Sequence, residues 1–285
     1  MCQFLKKVIS NKKFKISVLV LSAIYIGMVL FMYLNQQNLL YHPEREKYGL
    51  AHYKITNAEE ITLTSDDGTK LQAWYRKPDH DCDMTVFLHG NAGSLDDRAD
   101  KLKELADMGY GFIIPAWRGF GESEGSPSME GIYNDARAAI KFAESKGYQT
   151  EDMVLIGESL GSGIATKMAT EFQFKGLFLI TPYTSIADRA SEMYPFMPVH
   201  NLTKDNFSVI DKIATIKQPL LIIHGTNDLV IPHSHSEKII SVAIEPKKLV
   251  LYPDIGHVNY DIKAVFTQMK DFFGMCVKKD EIAAE

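Results

Sequence analysis

Gly157-Glu158-Ser159-Leu160-Gly161 is the stretch that decides the fold of this 285-residue chain. It follows the apolar run Met-Val-Leu-Ile at 153–156, and a helix-compatible segment begins directly after the serine. A serine on a sharp turn between a strand and a helix is typical of a nucleophile elbow. The flanking glycines suit a strained turn in which strand and helix approach closely. The pattern predicts a nucleophile at Ser159; the alternative is an ordinary strand-to-helix turn with a capping serine.

The backbone around this turn predicts how a developing negative charge would be stabilised. The N–H of Leu160 stands at the start of the helix, where the helix dipole favours an anion. A second donor is predicted at Asn91, because the buried-strand run 84–88 opens into His89-Gly90-Asn91-Ala92-Gly93. We expect the backbone N–H groups of Asn91 and Leu160 to form an oxyanion hole. The alternative for the first loop is a glycine-rich turn that only connects a strand to a helix.

Two further strands end in residues that complete a nucleophile–acid–histidine order. The apolar run 220–223 leads to Asp228, and the run 248–252 leads to His257. Because the carboxyl ends of parallel strands share one edge of a sheet, we expect both side chains to lie beside Ser159. His257 would take the serine proton as a base, and Asp228 would orient the imidazole and stabilise its charged form.

Other acids and histidines compete for these roles. Asp254 is only three residues from His257 and is a weaker candidate for the acid, since the acid is expected after the preceding strand. His224 and His89 each end a strand before a glycine and are interpreted as structural loop residues. His233 and His235 have the spacing of a metal pair, but the polar helix start around them favours a solvated face. No H-E-x-x-H or Cys-rich set supports a metal, and no cofactor is predicted.

The N-terminal region predicts a membrane anchor at residues 16–34. This run of 19 residues carries no charge, and at about 1.5 Å per residue it covers roughly the hydrocarbon core. Five lysines precede it: Lys6, Lys7, Lys12, Lys13 and Lys15. The positive-inside rule places the N-terminus in the cytoplasm and the rest of the chain on the other side, the periplasm or the secretory lumen. A cleaved signal peptide is the alternative, although the run is long and no small-x-small site follows it.

Charge and cysteine content restrict the partners. The chain has 31 basic and 36 acidic residues, and after the five lysines are set aside 26 basic residues face 36 acidic ones. This acidic balance argues against nucleic acid as a partner. The three cysteines, Cys2, Cys82 and Cys276, do not indicate a disulfide scaffold, although the last two could pair.

Apolar runs that alternate with helical patterns predict one α/β domain with a mostly parallel, eight-stranded sheet flanked by helices. The predicted strands are 60–64, 70–76, 84–88, 111–115, 153–157, 176–181, 219–224 and 248–252. The predicted helices are 96–108, 130–146, 160–172, 234–243 and 259–274. The predicted organisation is a basic segment (1–15), an anchor (16–34), a linker (35–57), the domain (58–276) and a tail (277–285).

The segment 181–211 is predicted to be a lid over the active site. It is too long for a simple connection, and long segments inside compact domains often cover active sites. Its aromatic residues Tyr183, Tyr194 and Phe196 are candidate substrate contacts. The alternative is a packed surface excursion whose aromatic side chains fill the edge of the domain.

Taken together, these motifs resemble the α/β-hydrolase superfamily over roughly residues 58–275. The H-G-N-A-G loop at 89–93, the W-R-G-F-G-E-S-E-G-S-P loop at 117–127 and the G-E-S-L-G elbow are similar to the membrane-anchored, bud-emergence type of α/β-hydrolase-domain proteins, related to the serine aminopeptidase branch. The resemblance implies an α/β-hydrolase fold and a serine hydrolase. Glu158 stands at the second position of the elbow, where many relatives have another residue type. Its carboxylate puts a negative charge near the site. Arg118 is either a structural ion-pair partner or a substrate contact.

Two functions from different classes follow from this sequence. The first is a serine hydrolase that cleaves carboxylic esters or thioesters through an acyl-enzyme, on a small-molecule or lipid acyl ester, with peptidase activity of the aminopeptidase type as an alternative. The second is a catalytically silent binding module on the same fold, since a fold does not dictate a function. The complete set of Ser159, Asp228 and His257 favours the enzyme.

Overall fold

The computed structural model describes residues 12–80 and 82–274, and its centre is one eight-stranded sheet. Its strands, in chain order, are β1 (Ala58–Thr64), β2 (Lys70–Arg76), β3 (Met84–Leu88), β4 (Gly111–Pro115), β5 (Met153–Glu158), β6 (Gly176–Ile180), β7 (Leu220–Gly225) and β8 (Lys247–Tyr252). The spatial order is β8-β7-β6-β5-β3-β4-β2-β1. The predicted eight-stranded sheet is confirmed.

Six of the strands run parallel, and the antiparallel part lies at one edge. Strand β1 pairs antiparallel with β2 through a turn at Gly68 (φ 85°), and β2 pairs antiparallel with β4. All other neighbouring strands are parallel. Residues in β3 to β7 are buried throughout, so both faces of the sheet are covered. This explains why these strands read as continuous apolar runs instead of alternating ones.

Seven helices of eight residues or more accompany the sheet within the described residues. They are α1 (Lys12–Leu34), α2 (Ala99–Asp107), α3 (Met129–Ser145), α4 (Leu160–Glu171), α5 (Ile186–Met193), α6 (Ser234–Val242) and α7 (Ile262–Phe273). Helix α3 contacts α4, and α2 contacts α7. The start of α7 is fixed by the side chain of Asp261, which accepts a hydrogen bond from the N–H of Ala264 (3.2 Å).

Helix α1 is the candidate membrane span, since it is long and apolar enough to cross a bilayer and none of its residues is buried. The following segment, predicted as a linker, packs on the domain and contains two short helical turns, Gln36–Leu40 and Leu50–Tyr53. Between them, the two residues His42–Pro43 pair in parallel with Ala92–Gly93. Tyr41, Leu50 and Ile55 join the hydrophobic core.

The segment predicted as a lid contains α5 and two short helical turns, Val199–Leu202 and Ile210–Ile213. Several predictions fall outside the described residues: Lys6, Lys7, Cys2, Cys276 and the tail 277–285. Cys82 is disulfide-bonded.

Candidate active site

Ser159 lies on a strained turn between β5 and α4, as the motif predicts. Its φ is 51° and its ψ is −118°, a backbone conformation that non-glycine residues rarely adopt. A Cβ added to Gly161 would lie 1.9 Å from the carbonyl oxygen of Leu88, and one added to Gly157 would lie 2.6 Å from the carbonyl oxygen of Gly161. Only glycine therefore permits the close approach of strand and helix that presents Ser159.

The structure brings Ser159, His257 and Asp228 together from the ends of β5, β8 and β7. The serine Oγ lies 3.2 Å from His257 Nε2, and His257 Nδ1 lies 2.7 Å from Asp228 Oδ2. The chemistry of the groups assigns the donors: the imidazole Nδ1–H donates to the carboxylate, which leaves Nε2 free to accept the serine proton. The predicted nucleophile, base and acid are thus linked by two hydrogen bonds.

Asp228 is built to remain ionised. Its Oδ1 accepts hydrogen bonds from the backbone N–H groups of Val230 and Ile231, both at 2.8 Å. Burial raises the pKa of the carboxyl, but hydrogen bonds from His224, His257 and Ile231 outweigh burial and hold the pKa well below its usual range. A carboxylate in this state is suited to stabilise an imidazolium.

Asp254 does not reach the histidine in this arrangement. Its backbone has a positive φ of 61°, and its N–H donates to Thr226 Oγ1 (3.1 Å). Its side chain is exposed and lies 3.5 Å from the amide nitrogen of Asn227. The geometry therefore favours Asp228 over Asp254 as the partner of His257.

His224 contacts the acid, a role that the sequence reasoning did not assign to it. The imidazole is completely buried, and its Nε2 lies 3.2 Å from Asp228 Oδ2 and 2.8 Å from the carbonyl oxygen of Ile231. Its Nδ1 accepts from the hydroxyl of Ser236 (2.6 Å). The only signal in the sequence was that His224 precedes Asp228 by four residues. Because Asp228 lies in the loop after β7, this spacing alone does not predict a contact between the two side chains.

The two predicted oxyanion donors come from the loop after β3 and from the first residue of α4. Gly90 packs against the serine, since a Cβ added there would lie 3.5 Å from the Cβ of Ser159. Asn91 follows in the same loop, and Leu160 begins α4. Neither backbone N–H donates a hydrogen bond to another group in residues 12–80 and 82–274. Both N–H groups are therefore available to an acceptor. The oxyanion hole itself stays a prediction.

Glu158 is paired, so the negative charge expected near the site is compensated. Its buried carboxylate forms an ion pair with Lys101 of α2. Burial alone raises the pKa of Glu158, but the positive charges of Lys101 and Arg98 outweigh it and bring the pKa to about 2. Glu158, which directly precedes Ser159, therefore holds α2 against the turn through its ion pair with Lys101.

The remaining histidines do not converge on the serine. His89 is buried against Trp117, and its burial, with a smaller effect of Arg98, lowers its pKa to about 3, so it stays neutral. The prediction of a solvated face is wrong for His235, which is completely buried and hydrogen-bonded to Thr184 (3.1 Å to the N–H). Helix α6 packs this side chain inward because its start faces the segment after β6. No cluster that could hold a metal ion occurs among the described residues.

Arg118 of the glycine-rich loop forms a structural ion-pair cluster. Its guanidinium donates to Asp135 of α3 (2.7 Å), to Asp67 of the β1–β2 turn (2.8 Å) and to Ser65 (3.3 Å). Asp135 is completely buried. The cluster ties the loop to the sheet edge, so the ion-pair interpretation of Arg118 fits the geometry and the substrate-contact interpretation does not.

A cavity of about 430 Å³ leads away from Ser159, within the size range of small-molecule sites. Tyr183 lines it and is buried, with its hydroxyl donating to the carbonyl oxygen of Leu160 (3.2 Å). Tyr194, the second candidate substrate contact, also lines the cavity. Phe196 does not: its side chain is 59% exposed and turned to the outer surface, because the tight turn at Pro195 directs it away from the cavity.

Comparison with known proteins agrees with this fold and gives a family context. A family model described as serine aminopeptidase, S33, matches residues 80–209. The chain is 30% identical to the Arabidopsis thaliana alpha/beta hydrolase domain-containing protein WAV2 over 73% of this chain and 75% of that protein. It is 29% identical to the Danio rerio lysophosphatidylserine lipase ABHD12, over 62% of this chain and 51% of that protein. The solved structure of the Pyrococcus furiosus esterase Pf2001 is similar at a TM-score of 0.61 and 18% identity, covering 82% of this chain and 94% of that one.

Proposed function

Because this chain belongs to the α/β-hydrolase superfamily, we propose that it is a membrane-anchored serine hydrolase that cleaves carboxylic ester or thioester bonds. The observation that carries the proposal is the pair of hydrogen bonds that links Ser159 to His257 and His257 to Asp228. Family membership alone would leave a silent binding module possible. A serine that is held on a strained turn, with a base at its hydroxyl, has the arrangement of an activated nucleophile, and this favours the enzyme.

The first half-reaction forms an acyl-enzyme. Ser159 Oγ bonds to the substrate carbonyl carbon while its proton passes to His257 Nε2. The backbone N–H groups of Asn91 and Leu160 stabilise the negative oxygen of the tetrahedral intermediate. When the intermediate collapses, the bond from carbon to the leaving group breaks, and the imidazolium gives its proton to the departing alcohol or thiol.

The second half-reaction releases the acid. Water loses a proton to His257 Nε2 and attacks the acyl carbon, and the bond to Ser159 Oγ then breaks. The imidazolium returns the proton to the serine, so the enzyme is regenerated and the net reaction is hydrolysis. Throughout the cycle the ionised Asp228 compensates the charge that appears on His257.

An ester substrate is favoured over a peptide by the character of the site. The cavity is lined mainly by apolar side chains. The acidic residue in its described lining, Asp205, already accepts a hydrogen bond from the hydroxyl of Tyr41 (2.7 Å). The similarity to a protein named as a lipase supports the same class. The description of the matching family model supports the alternative, a serine aminopeptidase.

The experiment is active-site labelling with a fluorophosphonate probe, together with hydrolysis of 4-nitrophenyl esters by the full chain in detergent. We expect wild type to be labelled and active, and Ser159→Ala to lose labelling and at least 10³-fold in rate, in keeping with loss of a triad nucleophile. Ser241→Ala, an exposed serine on α6, is the matched control and should behave as wild type.

Retention of ester hydrolysis in Ser159→Ala would remove this residue from the mechanism. Labelling without turnover of any ester, but with release of an amino-terminal residue from a peptide amide, would establish the aminopeptidase. A folded protein that is neither labelled nor active would support the silent binding module.

We further propose that α1 is an uncleaved anchor, with the N-terminus in the cytoplasm and the domain on the other side of the membrane. The lysines that precede the span support this orientation.

A further inference from the structure

The wall of the cavity at Ser159 is partly built by the membrane helix. Val29, Met32 and Tyr33 of α1 line it, together with Leu39 and Leu40 of the following helical turn. The opposite wall comes from α5 and the segment 193–202. The cavity therefore extends from the nucleophile to the outer end of the anchor.

Specific contacts hold the anchor against this segment. Gln36 donates to the carbonyl oxygen of Leu202 (2.9 Å) and accepts from the N–H of Lys204 (2.9 Å). The ammonium of Lys204 lies 4.2 Å from the ring centroid of Tyr33, a cation–π contact. Paired hydrogen bonds of this kind fix the position of the helix end, so the wall is a defined part of the site.

The segment after the anchor also holds the predicted oxyanion loop. The carbonyl oxygen of Leu40 accepts a hydrogen bond from the side-chain amide of Asn91 (2.6 Å), and the N–H of His42 donates to the Asn91 carbonyl oxygen (2.8 Å). The parallel pairing of 42–43 with 92–93 continues this contact. The anchor is thus joined to the site at both the cavity wall and the loop beside the serine.

Contacts between α1 and the segment 193–202 reach well back along the apolar helix. The hydroxyl of Tyr25 donates to the carbonyl oxygen of Phe196 (2.9 Å). Tyr25 lies nine residues before Leu34, about 13 Å along the helix, which is close to half of a hydrocarbon core. In the proposed orientation, the segment 193–202 would therefore lie beside the part of α1 that crosses the outer leaflet.

The surfaces at that level are apolar. A second cavity of about 340 Å³ lies in the cleft between α1 and this segment, lined by Tyr25, Ile26, Val29, Leu30, Tyr33, Pro198 and Leu202. Met193 and Phe196 expose 53% and 59% of their surface beside it. Exposed apolar surface of this extent next to a membrane helix is compatible with acyl chains and poorly compatible with water.

We propose that the membrane helix is a wall of the substrate site, and that the substrate is an amphiphile whose long acyl chain enters from the outer leaflet along α1. The proposal rests on the proposed serine hydrolase function. The chain would lie between α1 and the segment 193–202, with its carbonyl carbon at Ser159 and its headgroup directed to the aqueous side. A short, water-soluble ester needs only the inner end of the cavity.

The test fills the wall and compares two acyl lengths. Met32→Trp places bulk in the cavity, and Met28→Trp, the same change one turn earlier at a residue outside both cavity linings, is the matched control. The full chain is reconstituted in phosphatidylcholine vesicles with 4-nitrophenyl acetate or 4-nitrophenyl palmitate, which share a leaving group. We expect Met32→Trp to lower kcat/KM for palmitate at least tenfold and for acetate less than twofold, and Met28→Trp to change neither by twofold.

Equal losses on both esters would mean a structural defect, and no loss on palmitate would mean that the chain lies elsewhere; either result overturns the proposal. A second readout separates this failure from failure of the proposed function. An alkyl fluorophosphonate with a diazirine at the chain end is attached to the protein and then photolysed. Absence of labelling at Ser159 contradicts the hydrolase. Labelling at Ser159 with cross-links within residues 25–40 supports the wall, and cross-links confined to other residues or to lipid overturn it.

Discussion

At the scale of single residues, the carboxylate of Asp228 is the most constrained group of the site. Two backbone N–H groups hold one oxygen, and the imidazoles of His257 and His224 approach the other. In an isosteric amide, the oxygen would accept from the two backbone N–H groups and the NH2 group would face His257. The amide would then donate to Nδ1, favour the wrong tautomer of the imidazole and leave an imidazolium uncompensated. The identity of the acid can therefore be tested by two single substitutions.

We expect Asp228→Asn to lower kcat for 4-nitrophenyl acetate by about 10³- to 10⁴-fold, as loss of a triad acid does. Asp254→Asn, an exposed carboxylate three residues from His257, should change kcat less than twofold. Steady-state kinetics of both variants, with thermal melting to confirm folding, provide the measurement. If the two losses came out in the reverse order, Asp254 would be the acid.

The sequence predicted that Ser159, Asp228 and His257 lie together. It did not predict the residues that surround these three side chains. Ser159, Asp228 and His257 follow three strands, and strand ends in a parallel sheet meet at one edge, so their proximity is implied by the pattern. The burial of His235 and the contact of His224 with Asp228 depend instead on how α6 packs on the sheet. A polar helix start such as Pro232 to Glu237 carries no signal of that packing.

At the scale of elements, the ion pair of Lys101 with Glu158 joins α2 to the turn that carries Ser159. Removing one partner of a buried pair leaves the other charge buried without compensation, which costs about 3 kcal/mol. Glu158→Gln should therefore destabilise the domain at neutral pH without a change in the chemistry of Ser159.

This stabilisation has a defined pH dependence. The pKa of Glu158 falls from 4.5 to about 2 on folding, so the unfolded chain takes up its proton first as the pH is lowered. The stabilisation is complete above about pH 4.5 and is lost as the pH falls toward 2. We expect the difference in unfolding free energy between wild type and Glu158→Gln to be largest at pH 7 and clearly smaller at pH 3, measured by chemical denaturation in detergent. A difference that stays constant with pH would show that the pair is not the cause.

The main elements were predictable because each has a strong periodic or continuous apolar signal. All eight strands and the predicted helices occur, with ends displaced by at most a few residues. The short turns at 36–40 and 199–202 were not predicted, since four or five residues carry no helical periodicity. Their positions are set by contacts between the anchor segment and the segment after α5, which are distant in sequence.

At the scale of the whole molecule, α1 and the turn after it are hydrogen-bonded to the segment 196–204 of the domain. The proposed arrangement of α1 across a membrane rests on charge. Lys12, Lys13 and Lys15 stand at the start of α1, and the two further lysines precede the described residues. No other helix in the described part of the chain has the length and apolarity of a span.

We expect a C-terminal alkaline phosphatase fusion of the full chain to be active in a bacterial host and the equivalent green fluorescent protein fusion to be dark, because the first folds outside the cytoplasm and the second does not. Replacement of the five N-terminal lysines by glutamine should reduce phosphatase activity, since the orienting charge is removed. A bright fluorescent fusion with inactive phosphatase would place the domain in the cytoplasm.

If α1 is the membrane wall of the site proposed above, its cavity-lining residues also determine which concentration governs the reaction. Such a site would sample molecules that diffuse in two dimensions, so its occupancy would follow the mole fraction of substrate among neighbouring lipids and not its amount per volume of buffer. Inert phospholipid added to the vesicles would then act as a diluent of the substrate, even though nothing competes for the serine.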